Sequence, residues 1–141
     1  MAHFEATAEI NAARSRVWSV LMDVERWPEW TPTVTSAKRL DVGPLRVGSS
    51  TQMAQPKLKP AVWTVTELDE SRGVFIWVSR NPGIVVTAGH FIEAAAGATR
   101  TKLTIDFSGF LAPVMSMLLG KLIQQYIETE ARGLKQRCEA T

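Results

Sequence analysis

PVMSMLLGKLIQQYIETEARGLKQRC, residues Pro113 to Cys138, is the longest helical pattern in the chain and follows a series of strand-like segments. In its second half, apolar residues recur at steps of three and four, which predicts a helix with one buried face. Pro113 suits the first helical turn, where a missing N–H is harmless, and Lys135 and Arg137 place positive charge near the carboxyl end of the helix dipole. We therefore expect one long helix whose ends lie close to the ends of this segment.

The first half of this helix is apolar on almost every side, and only Ser116, Gly120 and Lys121 interrupt it. Such a helix must bury more than one side, in an ordinary core, against a partner, in a membrane or around a cavity. An ordinary core is the simplest explanation. We favour a helix that packs on a sheet with one side and lines or covers an apolar cavity with another, because flexible methionines suit an adaptable wall. Glycine is unfavourable by about 1 kcal/mol in a helix interior, so we expect another group to approach the backbone at Gly120.

Composition limits the classes of protein to which the chain can belong. With 141 residues and 45% hydrophobic composition, it has the length of one domain, residues 1–141, and enough apolar material for a core. Its 16 basic and 14 acidic residues give a net charge of +2 without a long basic run, so we expect no nucleic-acid partner. The single cysteine, Cys138, excludes an internal disulfide and suits the cytoplasm. We expect neither a signal peptide nor a membrane span, since the start lacks a basic and apolar leader and no apolar run reaches about 18 residues.

Upstream of the long helix, alternating apolar and polar residues predict a series of strands. The alternation is clearest in the first strand, where one face carries Phe4, Ala6, Ala8 and Ile10. Further strands are expected over residues 34–41, 48–55, 61–68, 74–79, 84–94 and 99–110. Asn11 is a favourable N-cap for a short helix that ends near Asp23 or Val24. Pro28 and Pro32 then allow no more than a helical turn.

The segment after the first strand resembles the opening of a known superfamily. Its characteristic residues are Ile10-Asn11-Ala12-Ala13, Val17-Trp18, Leu21, Asp23 and the run ERWPEWTPTV, residues 25–34. Together they resemble the START-like superfamily, also called SRPBCC, and in particular its polyketide cyclase/dehydrase-like branch. The resemblance implies the α+β helix-grip fold, in which a curved antiparallel sheet of six to seven strands wraps around a long C-terminal helix, with one or two short helices after the first strand. Because members include lipid carriers, plant hormone and pollen-allergen proteins and aromatic cyclases, the fold does not indicate a function by itself.

The alternation also predicts which side chains face the concave side of such a sheet. These side chains, with others from the helical segments, form our predicted ligand-binding set: Trp30, Trp63, Phe75, Trp77, Val86, Ala88, His90, Leu103, Ile105, Phe107, Met115, Leu118, Leu119, Leu122 and Tyr126. Large aromatic side chains either fill a core or form walls for flat apolar ligands, and both explanations stay open for the tryptophans. A bulge of one residue would invert the prediction for its strand.

His90 is the candidate catalytic residue, because it titrates near neutral pH and lies on a strand otherwise lined by apolar residues. Its ring either forms a hydrogen bond within the protein, or orients a ligand oxygen or acts as an acid or base. Further polar candidates for anchoring a ligand are Arg80, Gln52, Thr101 and Tyr126. The sequence contains no Gly-x-Ser-x-Gly elbow, phosphate-binding glycine loop, CxxC or HExxH spacing, so we expect no cofactor and no metal.

Three functions fit these patterns. The first is a carrier that binds an apolar small molecule, such as a lipid, a polyketide or an aromatic compound, in an internal cavity. The second is a cyclase or dehydratase of the kind that the resemblance implies, with His90 or a neighbour transferring protons. The third is a module whose apolar half-helix, flanked by Lys57, Lys59 and Lys121, makes peripheral contact with a membrane or a partner protein. The identity of the ligand stays open, as does the choice between monomer and homodimer.

Overall fold

A computed structural model describes residues 2–140 and shows a curved seven-stranded sheet that holds a long helix. The strands are β1 (Ala2–Ile10), β2 (Ser36–Arg39), β3 (Ser50–Ala54), β4 (Ala61–Asp69), β5 (Val74–Asn81), β6 (Ile84–Ala95) and β7 (Ala98–Ser108). The helices are α1 (Arg14–Met22), a 3-10 helix (Val24–Glu29) and α2 (Ala112–Glu139). The strands pair antiparallel in the order β1-β7-β6-β5-β4-β3-β2, so the first and last strands lie side by side. The predicted helix-grip fold is confirmed.

Strand β4 contains a bulge, yet its inward-facing residues are those that alternation predicts. Val65 lies opposite Trp77 of β5, and directly opposed residues share a face of the sheet. Trp63 lies two residues before Val65 and therefore faces the same side. The register shifts only between Val65 and Glu67, so the bulge does not invert the residues before it.

Helix α2 confirms the long helix that the sequence predicts. It begins at Ala112 with Pro113 in its first turn, and it ends at Glu139 with Arg137 in its last turn. The buried residues of its second half are Ile127, Ala131, Gly133, Leu134 and Cys138. These residues pack against β1, β7 and α1, which holds the second half of the helix on the sheet.

The short helix α1 begins later than predicted, and Asn11 is not its N-cap. The cap position is Ala13, which makes no side-chain hydrogen bond, and the first helical residue is Arg14. The backbone N–H of Asn11 instead donates to the carboxylate of Glu139 at 2.7 Å. Because β1 stays paired with β7 up to Ile10, the chain must turn before a helix can begin. Strand pairing overrides the local capping preference here.

The close backbone approach in α2 lies at Gly133, and the prediction that placed it at Gly120 is wrong. A Cβ atom on Gly120 would lie 3.6 Å from the Phe4 ring, which is an ordinary van der Waals distance. A Cβ atom on Gly133 would lie only 2.0 Å from the backbone oxygen of Trp30. Helix α2 therefore packs directly against the segment that follows the 3-10 helix, and only glycine fits at this contact.

Candidate functional site

An internal cavity separates the concave face of the sheet from the first half of α2. Its volume is about 200 Å³, whereas a single water molecule needs roughly 10–15 Å³. The apolar part of its wall comes from the 3-10 helix, the loop before β4, β3 to β7 and α2: Trp27, Met53, Leu58, Ala61, Trp63, Trp77, Ile84, Val86, Ala88, Leu103, Ile105, Phe107, Met115, Leu119, Ile123 and Ile127. The tryptophans and leucines therefore do not fill the space between sheet and helix.

Most of the predicted ligand-binding residues lie in this wall. They are Trp63, Trp77, Val86, Ala88, His90, Leu103, Ile105, Phe107, Met115, Leu119 and Tyr126. The alternation of strand residues leads to this placement, because residues two apart share a face of the sheet. Their contact with a ligand stays a prediction.

The remaining predicted residues lie outside the cavity wall: Trp30, Phe75, Leu118 and Leu122. Phe75 is fully buried, and its ring stacks on His90 with the two centroids 4.6 Å apart. The ring of Trp30 packs against Trp27, with centroids 5.5 Å apart. Leu118 is 71% exposed on the outer side of α2. Because the first half of α2 is apolar on both sides, its sequence pattern did not separate the cavity side from the outer side.

Trp27 is a cavity residue that the sequence did not reveal. Its ring centroid lies 5.3 Å from that of Trp77 and 5.6 Å from that of His90. Its indole N–H donates to the carbonyl of Leu21 at 3.2 Å, which fixes the ring in the wall. The available signal was the WPEW run that Trp27 shares with Trp30. Trp27 lies within the 3-10 helix and lines the cavity, whereas Trp30 follows the helix and packs against Trp27 outside the wall.

His90 is almost completely enclosed by aromatic rings and backbone, and its side chain lines the cavity. Its Nδ1 donates to the carbonyl oxygen of Phe75 at 3.0 Å, which leaves Nε2 as a hydrogen-bond acceptor. Burial disfavours the charged ring and lowers the pKa of His90 to about 4, although the hydrogen bond to Phe75 opposes this shift. At neutral pH the ring therefore carries no positive charge, and its Nε2 is a hydrogen-bond acceptor.

Glu130 is the titratable group in the cavity wall that the sequence interpretation missed. Burial raises the pKa of its carboxyl group to about 7, and a hydrogen bond from Thr33 Oγ1 to Oε2, at 3.4 Å, partly opposes this shift. The side chain is half-buried and lies in the cavity wall. The available signal was its position three residues after Ile127 and four before Leu134, on the buried stripe of α2.

The indole N–H of Trp63 is a buried donor without a partner. Trp63 is 8% exposed and lines the cavity, and its Nε1 has no hydrogen-bond partner among residues 2–140. A buried donor left unsatisfied costs about 1–3 kcal/mol. Thr101, one of the predicted anchors, is also buried with an unpartnered hydroxyl, but it lies outside the wall.

The other predicted polar anchors take different positions. Tyr126 lies in the wall, and its hydroxyl donates to the carbonyl of Pro56, which joins α2 to the loop between β3 and β4. Gln52 and Arg80 are exposed and lie outside the wall. The polar residues in the wall are Gln55, Lys59, Trp63, Ser79, Asn81, His90, Thr104, Tyr126 and Glu130, and the indole N–H of Trp63 is a buried donor without a partner.

Over residues 1–139 the chain matches the family described as polyketide cyclase / dehydrase and lipid transport. It belongs to this family. The resemblance to the polyketide cyclase/dehydrase-like branch of the START-like superfamily is thereby confirmed. No protein of curated function matches the chain.

Several solved structures share the fold of this polyketide cyclase / dehydrase and lipid transport family member. The Zhui aromatase/cyclase from Streptomyces sp. R1128 has a TM-score of 0.80 and 18% identity, covering 98% of this chain and 93% of its own. TTHA0849 from Thermus thermophilus has a TM-score of 0.78 and 20% identity, covering 97% of both chains. Ginseng major latex-like protein 151 from Panax ginseng has a TM-score of 0.76 and 12% identity, covering 99% and 98%. Similarity at these identities shows the fold alone.

Two further observations concern what the family member contains between residues 2 and 140. No group of three or more His, Cys, Asp or Glu side chains in this range is arranged to hold a metal ion. None of the helices in the same range is long and apolar enough to cross a membrane. The cavity wall includes Trp63, whose buried indole N–H has no partner in this range, and His90 and Glu130, whose pKa values are shifted.

Proposed function

We propose that this protein binds an apolar small molecule with at least one oxygen acceptor inside the cavity. The observation that supports this proposal best is the unpartnered indole N–H of Trp63 in the wall of an apolar cavity of about 200 Å³. Transfer of apolar surface out of water contributes roughly 25 cal/mol per Å² to such binding. The hydrogen bond to Trp63 then orients the bound molecule.

The lining favours a flat ring system as the bound molecule. Three tryptophans, Trp27, Trp63 and Trp77, face the cavity and present extended aromatic surfaces. His90 offers an acceptor and Glu130 both a donor and an acceptor, so a hydroxyl or carbonyl group on the ring finds partners of either kind. An aromatic or polyketide-like compound satisfies these groups better than a plain hydrocarbon chain.

Replacement of the indole by a phenyl ring tests the proposed hydrogen bond. Trp63→Phe should weaken the binding of 2-naphthol about tenfold, because the variant lacks the donor while it keeps an aromatic wall. Binding of naphthalene, which has no oxygen, should change by much less. Calorimetric titration with 2-naphthol, and competition by naphthalene, measure the two effects on the same protein.

Trp18→Phe is the matched control, because Trp18 is a buried core tryptophan outside the cavity wall. It should leave the ratio of the two affinities unchanged. If Trp63→Phe lowers the affinity for both compounds equally, Trp63 contributes only surface and the proposed hydrogen bond is wrong. If the wild-type protein binds neither compound and native mass spectrometry shows no copurified small molecule, the carrier function fails altogether.

A second candidate function, a cyclase or dehydratase, is supported by the raised pKa of Glu130. A carboxyl group whose pKa is about 7 serves as acid and base at neutral pH. In a dehydration, protonated Glu130 would give its proton to a leaving hydroxyl, and its carboxylate would take a proton from the neighbouring carbon. Water leaves and a double bond forms, so the acid is regenerated. A catalytic role of His90 stays a prediction, and its pKa of about 4 suits an acceptor better than a proton donor.

The enzyme function is tested with any compound that native mass spectrometry recovers from the protein. Glu130→Gln should lower its turnover by about a hundredfold or more, the usual contribution of general acid-base catalysis, while its affinity changes only a few-fold. His90→Phe should lower turnover to a similar extent only if His90 takes part in proton transfer. Unchanged turnover in Glu130→Gln would leave the protein as a carrier.

The proposed place of action is the cytoplasm. The chain has a single cysteine, Cys138, which is buried in the core and suits a reducing compartment. Burial raises the pKa of the Cys138 thiol to about 11, so the thiol stays protonated and poorly reactive. A fusion to a fluorescent protein, followed in the cells that produce the protein, tests this location.

A further inference from the structure

The first half of α2 and the turn before it carry a stripe of exposed apolar side chains outside the cavity. Phe110 is 81% exposed, Val114 49%, Met117 82% and Leu118 71%. We call these four residues the apolar stripe. Met115 lies between them in sequence but lines the cavity. Successive residues of a helix are about 100° apart, so Met115 and Val114 face different sides of α2. Large apolar side chains that are exposed together mark an interaction surface.

Three segments meet at this end of the molecule. The backbone N–H of Leu111 donates to the carbonyl of Gly83 at 2.9 Å, which joins the start of α2 to the turn between β5 and β6. The hydroxyl of Tyr126 donates to the carbonyl of Pro56, which joins α2 to the loop between β3 and β4. The surface around the apolar stripe is therefore built from residues 55–60, 80–84 and 108–127.

These three segments carry only positive charge. Their charged residues are Lys57, Lys59, Arg80 and Lys121, and they contain no Asp or Glu. In the part of the chain that the structure describes, none of these four cations forms an ion pair. The cations are therefore available to a negatively charged partner.

Acidic groups border this surface on α2 and on the neighbouring strands. Glu128 follows the third segment directly, is exposed and accepts a hydrogen bond from Gln124. The two acids on the strands are paired. Glu5 of β1 lies 3.0 Å from a ring nitrogen of His3 and 4.0 Å from Lys102 Nζ. Asp106 of β7 contacts the other ring nitrogen of His3. The three segments themselves carry four cations and no acid, so the surface around the apolar stripe keeps an excess of positive charge.

We propose that this surface docks on an anionic lipid bilayer, with the first half of α2 lying flat in the interface. A bilayer surface accepts apolar side chains below the headgroups while acidic lipids attract the surrounding lysine and arginine residues. A second copy of the chain fits this surface less well. In a twofold dimer through the apolar stripe, the four cations of one copy would face the same four cations of the other copy. Their repulsion disfavours such a dimer.

Vesicle flotation tests the proposal on the full chain and does not depend on the identity of any cavity ligand. The wild-type protein should float with phosphatidylcholine vesicles that contain phosphatidylglycerol, and much less with phosphatidylcholine alone or at high salt. Leu118→Glu should lower the partition at least tenfold. The double variant Lys57→Gln/Lys121→Gln, at two exposed lysines outside the cavity wall, should lower it about 25-fold at low salt, since each cation near an acidic surface contributes about fivefold.

Val42→Glu is the matched control, because Val42 is 87% exposed on the loop between β2 and β3 and belongs to none of the three segments. Its partition should stay within about twofold of the wild type, which is the size of effect expected from one remote charge. Circular dichroism confirms that each variant is folded.

The proposal is overturned if the wild type does not float with either vesicle, or if Val42→Glu lowers the partition as much as Leu118→Glu does. If the wild type forms a dimer, Leu118→Glu dissociates it and the wild type does not float, the apolar stripe binds a second copy of the chain and the membrane proposal is wrong. Binding of 2-naphthol by the same samples reports separately on the cavity.

Discussion

Gly133→Ala should lower the free energy of unfolding by about 3 kcal/mol or more, at the upper end of the range for overpacked core positions. The added Cβ atom would lie 2.0 Å from the backbone oxygen of Trp30. A backbone carbonyl cannot rotate away as a flexible side chain can, so α2 and the segment around Trp30 must move apart. Because Trp30 packs against Trp27, with ring centroids 5.5 Å apart, we expect the shift to reach the cavity wall and to weaken ligand binding as well.

Gly120→Ala is the matched control on the same helix. Its Cβ atom would lie 3.6 Å from the Phe4 ring, so no neighbour has to move. Alanine is favoured over glycine in a helix interior by about 1 kcal/mol, and this variant should therefore be slightly more stable than the wild type. Urea denaturation of both variants at one pH measures the difference. Equal stabilities of Gly133→Ala and Gly120→Ala would contradict the direct contact between α2 and Trp30.

Glu130→Gln should make the protein more stable at pH 8 by up to about 3 kcal/mol, because it removes a carboxylate that is unfavourable in its buried position. The pKa of Glu130 is raised from 4.5 to about 7 in the folded protein. Between these two values the folded state binds more protons than the unfolded state. The stability that Glu130 contributes is therefore complete below pH 4.5 and is lost as the pH rises through 7. The advantage of the variant should grow over the same window.

His90 has the opposite effect on the pH dependence. Its pKa is lowered from 6.5 to about 4, so the unfolded state binds the additional proton between these values. Stability from neutral His90 is complete above pH 6.5 and is lost as the pH falls toward 4. In the wild type the contributions of Glu130 and His90 nearly cancel between pH 4.5 and 6.5. In Glu130→Gln the loss of stability below pH 6.5, by up to about 3 kcal/mol, should become visible.

Urea denaturation from pH 4 to pH 8 measures these curves, and Glu128→Gln provides the control. Glu128 is exposed on the same helix and does not line the cavity, so its replacement should leave the shape of the curve unchanged. A constant difference between Glu130→Gln and the wild type at every pH would show that the folded protein does not shift the pKa of Glu130. Such a result would also remove the support for acid-base catalysis by Glu130.

The individual strands and helices were predictable because their signals are local, whereas the helix-grip arrangement was implied by the family resemblance of residues 10–34. The alternation of Phe4 and Ile10 in β1, and of Leu103 and Phe107 in β7, follows from the period of two in any strand with one buried face. Pro113 at the start of α2 reflects the missing N–H of proline, which any first helical turn tolerates. These regularities need no knowledge of which elements become neighbours.

The errors have a common physical reason. The sequence does not show which group lies opposite Gly120 or Gly133, since the neighbours, Phe4 and Trp30, are about a hundred residues away along the chain. Leu118 and Leu119 are equally apolar, yet one is exposed and the other lines the cavity. The buried stripe of α2 contained a signal for Glu130, because a carboxylate at a core-facing step of a helix is unusual.

The sequence by itself determined the order of strands and helices, the inward residues of the sheet and the long helix across it. Periodicity and backbone preference act over a few neighbouring residues and can be recognised without the folded chain. Only the tertiary structure decided that a space remains between sheet and helix, that the Trp63 donor has no partner there, and that Glu130 and His90 take shifted pKa values. Cavities, unpaired donors and desolvation depend on the distances between elements that are remote in sequence, and these distances are set when the elements pack together.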